Sequence, residues 1–110
     1  MLFRSGDHDQ ACDHYTNSLV LYQRFGNRLG EAKVYQSLGI LAEREGRYAD
    51  ALAQAEQALR LYRAIGDKAP ETQTLNGVGL YHGLLGDYRQ ARAFCRQALK
   101  IGRASCRERV

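Results

Sequence analysis

The sequence predicts an all-α fold, a right-handed α–α superhelix of five antiparallel helices. Three observations carry that expectation. Glycines stand at Gly6, Gly26, Gly46, Gly66 and Gly86, one every 20 residues. Between them apolar residues recur at helical spacing, as in Ala51, Leu52, Ala55, Ala58, Leu59 and Tyr62. The chain holds one proline, and no segment alternates polar and apolar residues with the period of two that a strand requires.

Each block of 20 residues spells one helix and its stop. A glycine at the end can take the left-handed conformation that closes a helix without a Cβ penalty. Asp7, Asp67 and Asp87 follow glycines and are short acceptors suited to capping the next helix. Pro70 falls near a helix start, where its missing N–H costs nothing. These marks place helices near 8–25, 28–45, 48–65, 69–85 and 88–101. Good helix formers fill the gaps between the apolar positions. The fourth helix contains Gly77, Gly79 and Gly83, each costing about 1 kcal/mol against alanine, and should be the softest.

The context of the glycines alternates, so the true unit is 40 residues. Gly6, Gly46 and Gly86 begin GDHDQAC, GRYADAL and GDYRQAR, which bring Ala11, Ala51 and Ala91 into register. Ser18-Leu19, Ala58-Leu59 and Ala98-Leu99 follow in step. The other glycines open GNRLGEAKVYQSLG and GDKAPETQTLNGVG. Connections of two to four residues make neighbouring helices antiparallel. The recurring alanines let helix backbones approach closely, so Ala51, Ala58, Ala91 and Ala98 are expected to be buried, with Tyr48 and Tyr88 covering the turns. Each hairpin leaves an apolar face open that the next hairpin must cover.

At these residues the chain resembles the tetratricopeptide repeat family. The first-helix signature corresponds to Tyr35 with Leu38-Gly39, and to Leu75 with Val78-Gly79. The turn and second helix correspond to Gly46, Tyr48, Ala51 and Ala58, and to Gly86, Tyr88, Ala91 and Ala98. The resemblance covers residues 6 to 100. Three features depart from it: Ala55 and Cys95 replace a second-helix aromatic that Tyr15 keeps, a closing proline is absent, and the period is 40 rather than 34. The longer period is similar to that of kinesin light chains and of C-terminal arrays in large bacterial regulators. The wording ALRLYRAIGD and LNGVGLYHGLLGDYRQA resembles arrays that follow nucleotide-binding switch domains in actinobacterial transcriptional regulators.

The array is expected to span residues 1–101, with 102–110 a non-native tail. The string IGRASCRERV breaks the apolar pattern after Ile101 and resembles a translated sequencing-adapter oligonucleotide. It carries three arginines and one glutamate, which is half of the chain's net charge of +4. The first helix matches the second helix of a unit, so two and a half units are present and a fragment of a larger regulatory protein is expected.

Composition narrows the function. Charged residues make up 25% and apolar residues 45%, the balance of an ordinary globular protein. No apolar run approaches the roughly 20 residues that span a bilayer, and Met1-Leu2-Phe3-Arg4 is no signal peptide, so a cytoplasmic location is expected. Cys12, Cys95 and Cys106 are odd in number and lack metal spacing, which suits reduced thiols. The basic excess is too small and dispersed for direct contact with nucleic acid.

Candidate chemical motifs dissolve on inspection. Gly77 to Gly83 superficially resembles a dinucleotide fingerprint, but that motif needs a preceding strand and glycines at a helix start. DHDQACDH sets His8 and Cys12 four apart, yet a structural zinc needs four ligands and no second cluster exists. His82 has no nucleophile beside it at helical spacing. No enzyme activity, metal or cofactor is therefore expected.

What remains is a protein-interaction module binding a peptide or protein partner in a concave groove. The resemblance implies that first-helix positions line it: Lys33, Gln36, Ile40, Glu43 and Arg44, then Gln73, Asn76, Leu80, Gly83 and Leu84. Ile40 is expected beside Leu80, forming with Leu84 an apolar patch. Lys33 and Arg44 would favour acidic residues flanking an apolar anchor. Two other roles fit the same sequence: a sensor segment of a bacterial nucleotide-switch transcriptional regulator, and a structural spacer.

Overall fold

The computed structural model describes the backbone of residues 5–109 and the side chains of residues 9–102. Five helices follow one another: α1 Ser5–Arg24, α2 Arg28–Arg44, α3 Tyr48–Ile65, α4 Lys68–Leu84 and α5 Tyr88–Arg109. The described residues contain no strand. Each helix packs on the one before it and the one after it. The radius of gyration of 15.0 Å exceeds the roughly 13 Å of a compact domain of this length. That elongation is the mark of a stack, in which each unit touches only its neighbours.

The stops work as the glycine spacing implies. Gly26, Gly46, Gly66 and Gly86 have φ of 68°, 75°, 84° and 91°. At three of them the chain closes the helix behind it with a backbone bond that reaches back five residues: Asn27 N–H to Tyr22 C=O, Arg47 N–H to Ala42 C=O and Asp87 N–H to His82 C=O, at 2.8, 2.9 and 2.8 Å. This pattern satisfies carbonyls that the helix end would leave orphaned. The starts are less uniform. Asn27 Oδ1 accepts from Gly30 N–H at 2.9 Å, and Asp87 Oδ1 accepts from Gln90 N–H at 3.2 Å. Asp67 makes no side-chain cap; its charge instead acts on the Tyr62 phenol. Gly6 and Asp7 lie inside α1, which begins at Ser5, so neither marks its start.

Glycine and alanine set the distance between the helices of a hairpin. A Cβ on Gly79 would stand 3.2 Å from the Ala91 carbonyl oxygen and 3.1 Å from Cys95 Sγ. Gly39 faces the Ala51 carbonyl oxygen in the same way in the preceding hairpin, at 3.4 Å. Ala51, Ala58 and Ala98 are buried as expected. Ala91 is only half-buried. The core joins Leu59 of α3 to Leu75, Val78 and Tyr81 of α4. A second cluster joins Ala32 of α2 to Ala58, Leu61 and Tyr62 of α3.

Two expectations need correction. Tyr48 is half-buried at its turn, but Tyr88 is 69% exposed and does not cover its turn as expected. And α5 does not end at residue 101. Gly102 lacks the positive φ of the four stop glycines, and the residues that follow it include alanine and arginine, which favour helix. The helix therefore runs on to Arg109.

Candidate functional site

The first helices of the two hairpins, α2 and α4, run side by side and leave a cleft of ≈150 Å³ between them. Its floor is made of side chains that take no room: Gly39 of α2, Gly77 of α4, and Ala55 and Ala58 of α3. Gln36 and Ile40 of α2 and Gln73, Thr74 and Tyr81 of α4 complete its lining. Small residues are there because the helix backbones must approach. The hollow is a consequence of the packing rule that builds the stack.

Two tyrosines hold the cleft's shape. Tyr62, only 1% exposed, donates its hydroxyl to Gln36 Oε1 at 2.8 Å. Tyr81 donates to Glu43 Oε1 at 2.6 Å, tying α4 to α2. Burial, then the hydrogen bond and charge of Glu43, push the Tyr81 phenol well above its ordinary value near 10. Burial and the charge of Asp67 raise Tyr62 in the same direction. A phenol raised in the folded state stays neutral where the unfolded chain's phenol would ionise. Its stabilising contribution is intact below the unfolded value near 10 and is lost as pH climbs through the folded one. Thermal midpoints followed from pH 8 to 11 should fall, and the Tyr81→Phe variant should fall less steeply. Equal slopes would show that the Tyr81 hydroxyl is not buried as described.

Of the residues expected to line a groove, the cleft gathers Gln36, Ile40 and Gln73. Glu43 joins them through Tyr81. Lys33, Arg44, Asn76, Leu80 and Leu84 are exposed on the same two helices but outside the cleft. Gly83 belongs to the other face of α4, where a Cβ would lie 3.7 Å from that of Ala91. Ile40 lines the cleft with Gln73 and Gly77, and Leu80 is not among the lining residues. The two leucines are nonetheless open, 49% and 47% exposed.

The sequence gives little sign of Tyr62 and Tyr81, whose partners lie 26 and 38 residues away. A second feature it hides is Glu71. This carboxylate is 5% exposed in the first turn of α4, where the helix dipole favours a negative charge. Arg63 Nε lies 3.6 Å from it, and Lys68 Nζ lies 3.5 Å away. His82 stacks on Phe94 with ring centroids 5.4 Å apart and planes 8° from parallel. Its surroundings are those of a packed side chain at the α4–α5 turn, with Asp87 at 4.0 Å.

Among the described residues no three of His, Cys, Asp and Glu come together as a metal site. The side chain of His8 lies outside the described residues. No described helix is long and apolar enough to cross a membrane.

Comparison with known proteins agrees with this architecture. No curated protein is significantly similar in sequence. Among solved structures, BtubC (BKLC) from P. vanneervenii is similar with a TM-score of 0.85 and 26% identity over 90% of this chain. The match spans 41% of that protein's length. The TPR domain of Arabidopsis FLU matches with a TM-score of 0.76 and 21% identity, covering 88% of this chain and 82% of that one. One sequence model of the tetratricopeptide repeat matches residues 1–64, and a second matches residues 72–106. With more than half its length matched and with the helices stacked in that family's manner, the chain belongs to the tetratricopeptide repeat family.

Proposed function

We propose that the chain holds an extended protein segment in the groove between α2 and α4, with one apolar side chain of that segment seated in the cleft. Tetratricopeptide repeats mediate protein–protein interaction, and the fold is typical of binding modules rather than enzymes. The observation that carries the finer reading is the cleft itself, with its floor of Gly39, Gly77, Ala55 and Ala58. An apolar hollow of about 150 Å³ can take a group the size of benzene.

The rim supplies what a peptide backbone needs. Tyr62 occupies Gln36 Oε1, which leaves the amide N–H donors of Gln36 to a ligand. Gln73 is exposed and offers both a donor and an acceptor. Leu80 and Leu84 extend the apolar contact along α4. Lys33 and Arg44 stand exposed on α2 and favour acidic residues on either side of the anchor.

The test uses peptides selected on the chain from a random display library. They should share one apolar residue with aspartate or glutamate nearby. Gly77→Leu fills the cleft with little steric conflict, since a Cβ at Gly77 meets only Tyr81, at 3.9 Å. That variant should keep its helicity yet bind the selected peptide about tenfold or more weakly. The pair Leu80→Ser and Leu84→Ser should weaken it as well. Full affinity in Gly77→Leu would remove the cleft from the binding site.

A further inference from the structure

Helix α4 carries three glycines, and packing accounts for them unequally. Gly79 is held to its size by α5: a Cβ there would stand 3.2 Å from the Ala91 carbonyl oxygen and 3.1 Å from Cys95 Sγ. A Cβ on Gly83 would lie 3.7 Å from that of Ala91, an ordinary contact. Gly77 differs from both. A Cβ there would meet one atom within 4 Å, a ring carbon of Tyr81 at 3.9 Å. Its backbone is plain helix, without the positive φ that favours glycine. The 40-residue register pairs it with Ser37, which carries a side chain in the middle of α2.

A glycine in a helix interior is destabilising relative to alanine. At Gly77 neither crowding nor backbone conformation calls for one. What the missing side chain leaves is room, since Gly77 lies in the floor of the cleft with Gly39, Ala55 and Ala58. Gly39 is constrained by the Ala51 carbonyl oxygen at 3.4 Å, and Ala55 and Ala58 are buried between helices. Gly77 is therefore the floor residue whose size the fold leaves free. The wall beside it is firm. Tyr81 is the side chain nearest a Cβ at Gly77, and its hydroxyl is tied to Glu43 Oε1 at 2.6 Å. That bond keeps the ring from closing over the space.

On the groove reading proposed above, we infer that Gly77 sets the size of the anchor the cleft admits. The anchor is an apolar side chain as large as leucine or phenylalanine, seated over the bare Gly77 backbone and against the Tyr81 ring. A hollow of about 150 Å³ holds a group the size of benzene. Gln36 and Gln73 in the same lining carry amides that suit the backbone of a peptide bearing such an anchor. The softness of α4 at this point serves recognition and not packing.

The display-selected peptide, resynthesised with alanine, valine, leucine or phenylalanine at its apolar position, tests the inference. Each is titrated by calorimetry into the wild-type chain, Gly77→Ala and Gly83→Ala. On the wild type, affinity should climb about fourfold per added methylene as far as leucine. Phenylalanine should bind at least as well. On Gly77→Ala the climb should stop at valine, with leucine and phenylalanine held about tenfold more weakly than by the wild type. The alanine peptide should keep its affinity. The same variant should melt about 4 °C higher, because alanine favours the helix and meets no obstacle. Gly83→Ala stiffens the same helix away from the cleft, so it should keep the full climb. A lower melting point in Gly77→Ala would show that the fold itself requires the glycine and overturns the inference. An unshortened climb would seat the anchor away from Gly77, which overturns the inference and leaves a groove elsewhere on α2 and α4 standing. Equal shortening in Gly83→Ala would trace the effect to helix stiffness and overturns it too. A display that yields no binding peptide removes the groove reading, and the inference with it.

Discussion

Replacing Leu75 with alanine is expected to lower stability by about 3 kcal/mol, the middle of the range for emptying a well-packed leucine site. Leu75 is fully buried where α3 meets α4, among Leu59, Val78 and Tyr81. In a stack each joint holds its neighbours, so a cavity there weakens the link between the two hairpins. At roughly 4 °C or more per kcal/mol for a domain of about this size, the thermal midpoint should drop by more than 10 °C. A calorimetric shift under 3 °C would mean that the hairpins do not share a core at Leu75.

The second large effect has the opposite geometry. Ala51→Leu adds three heavy atoms to a site with no exposed surface, where the Ala51 carbonyl oxygen already lies 3.4 Å from the position of a Cβ on Gly39. Overpacking of this kind costs about 1–3 kcal/mol. Chemical denaturation should give a lower midpoint with an unchanged slope. Ala53→Leu makes a fair control, since Ala53 is exposed on the same helix, and it should move the midpoint little. If both variants behave alike, the alanine positions are not the close-packed joints of the hairpins.

Most of the fold could be read from the chain because its punctuation is local. A stop glycine needs only its own positive φ, and Gly26, Gly46, Gly66 and Gly86 each declare one. The alanines at 51, 58 and 98 are legible for a related reason: a 40-residue period brings each into register with its neighbours before any tertiary contact is known. The end of α5 was not legible, because the apolar pattern fails after Ile101 while the helical backbone runs on to Arg109.

The candidate site was legible only by helix face. Of the residues that spacing puts on the first helices, Gln36, Ile40 and Gln73 line the cleft. Spacing could not supply the Tyr81–Glu43 bond that ties α4 to α2. Nor could it show that Tyr62 would occupy one side of Gln36. Those bonds join side chains far apart in sequence, and nothing local to either residue announces its partner. Glu71 is a similar case, a carboxylate on a helix start that looks solvent-facing until Arg63 of the preceding helix closes over it.

The groove is the account's central claim, and backbone amide shifts of the ¹⁵N-labelled chain titrated with a display-selected peptide test it most directly. The account predicts the largest changes at Gln36, Gly39, Ile40, Gln73 and Gly77, with smaller ones at Leu80 and Leu84. Changes confined to the α5 stripe of Arg89, Arg92 and Arg96, with the α2–α4 cleft silent, would contradict it.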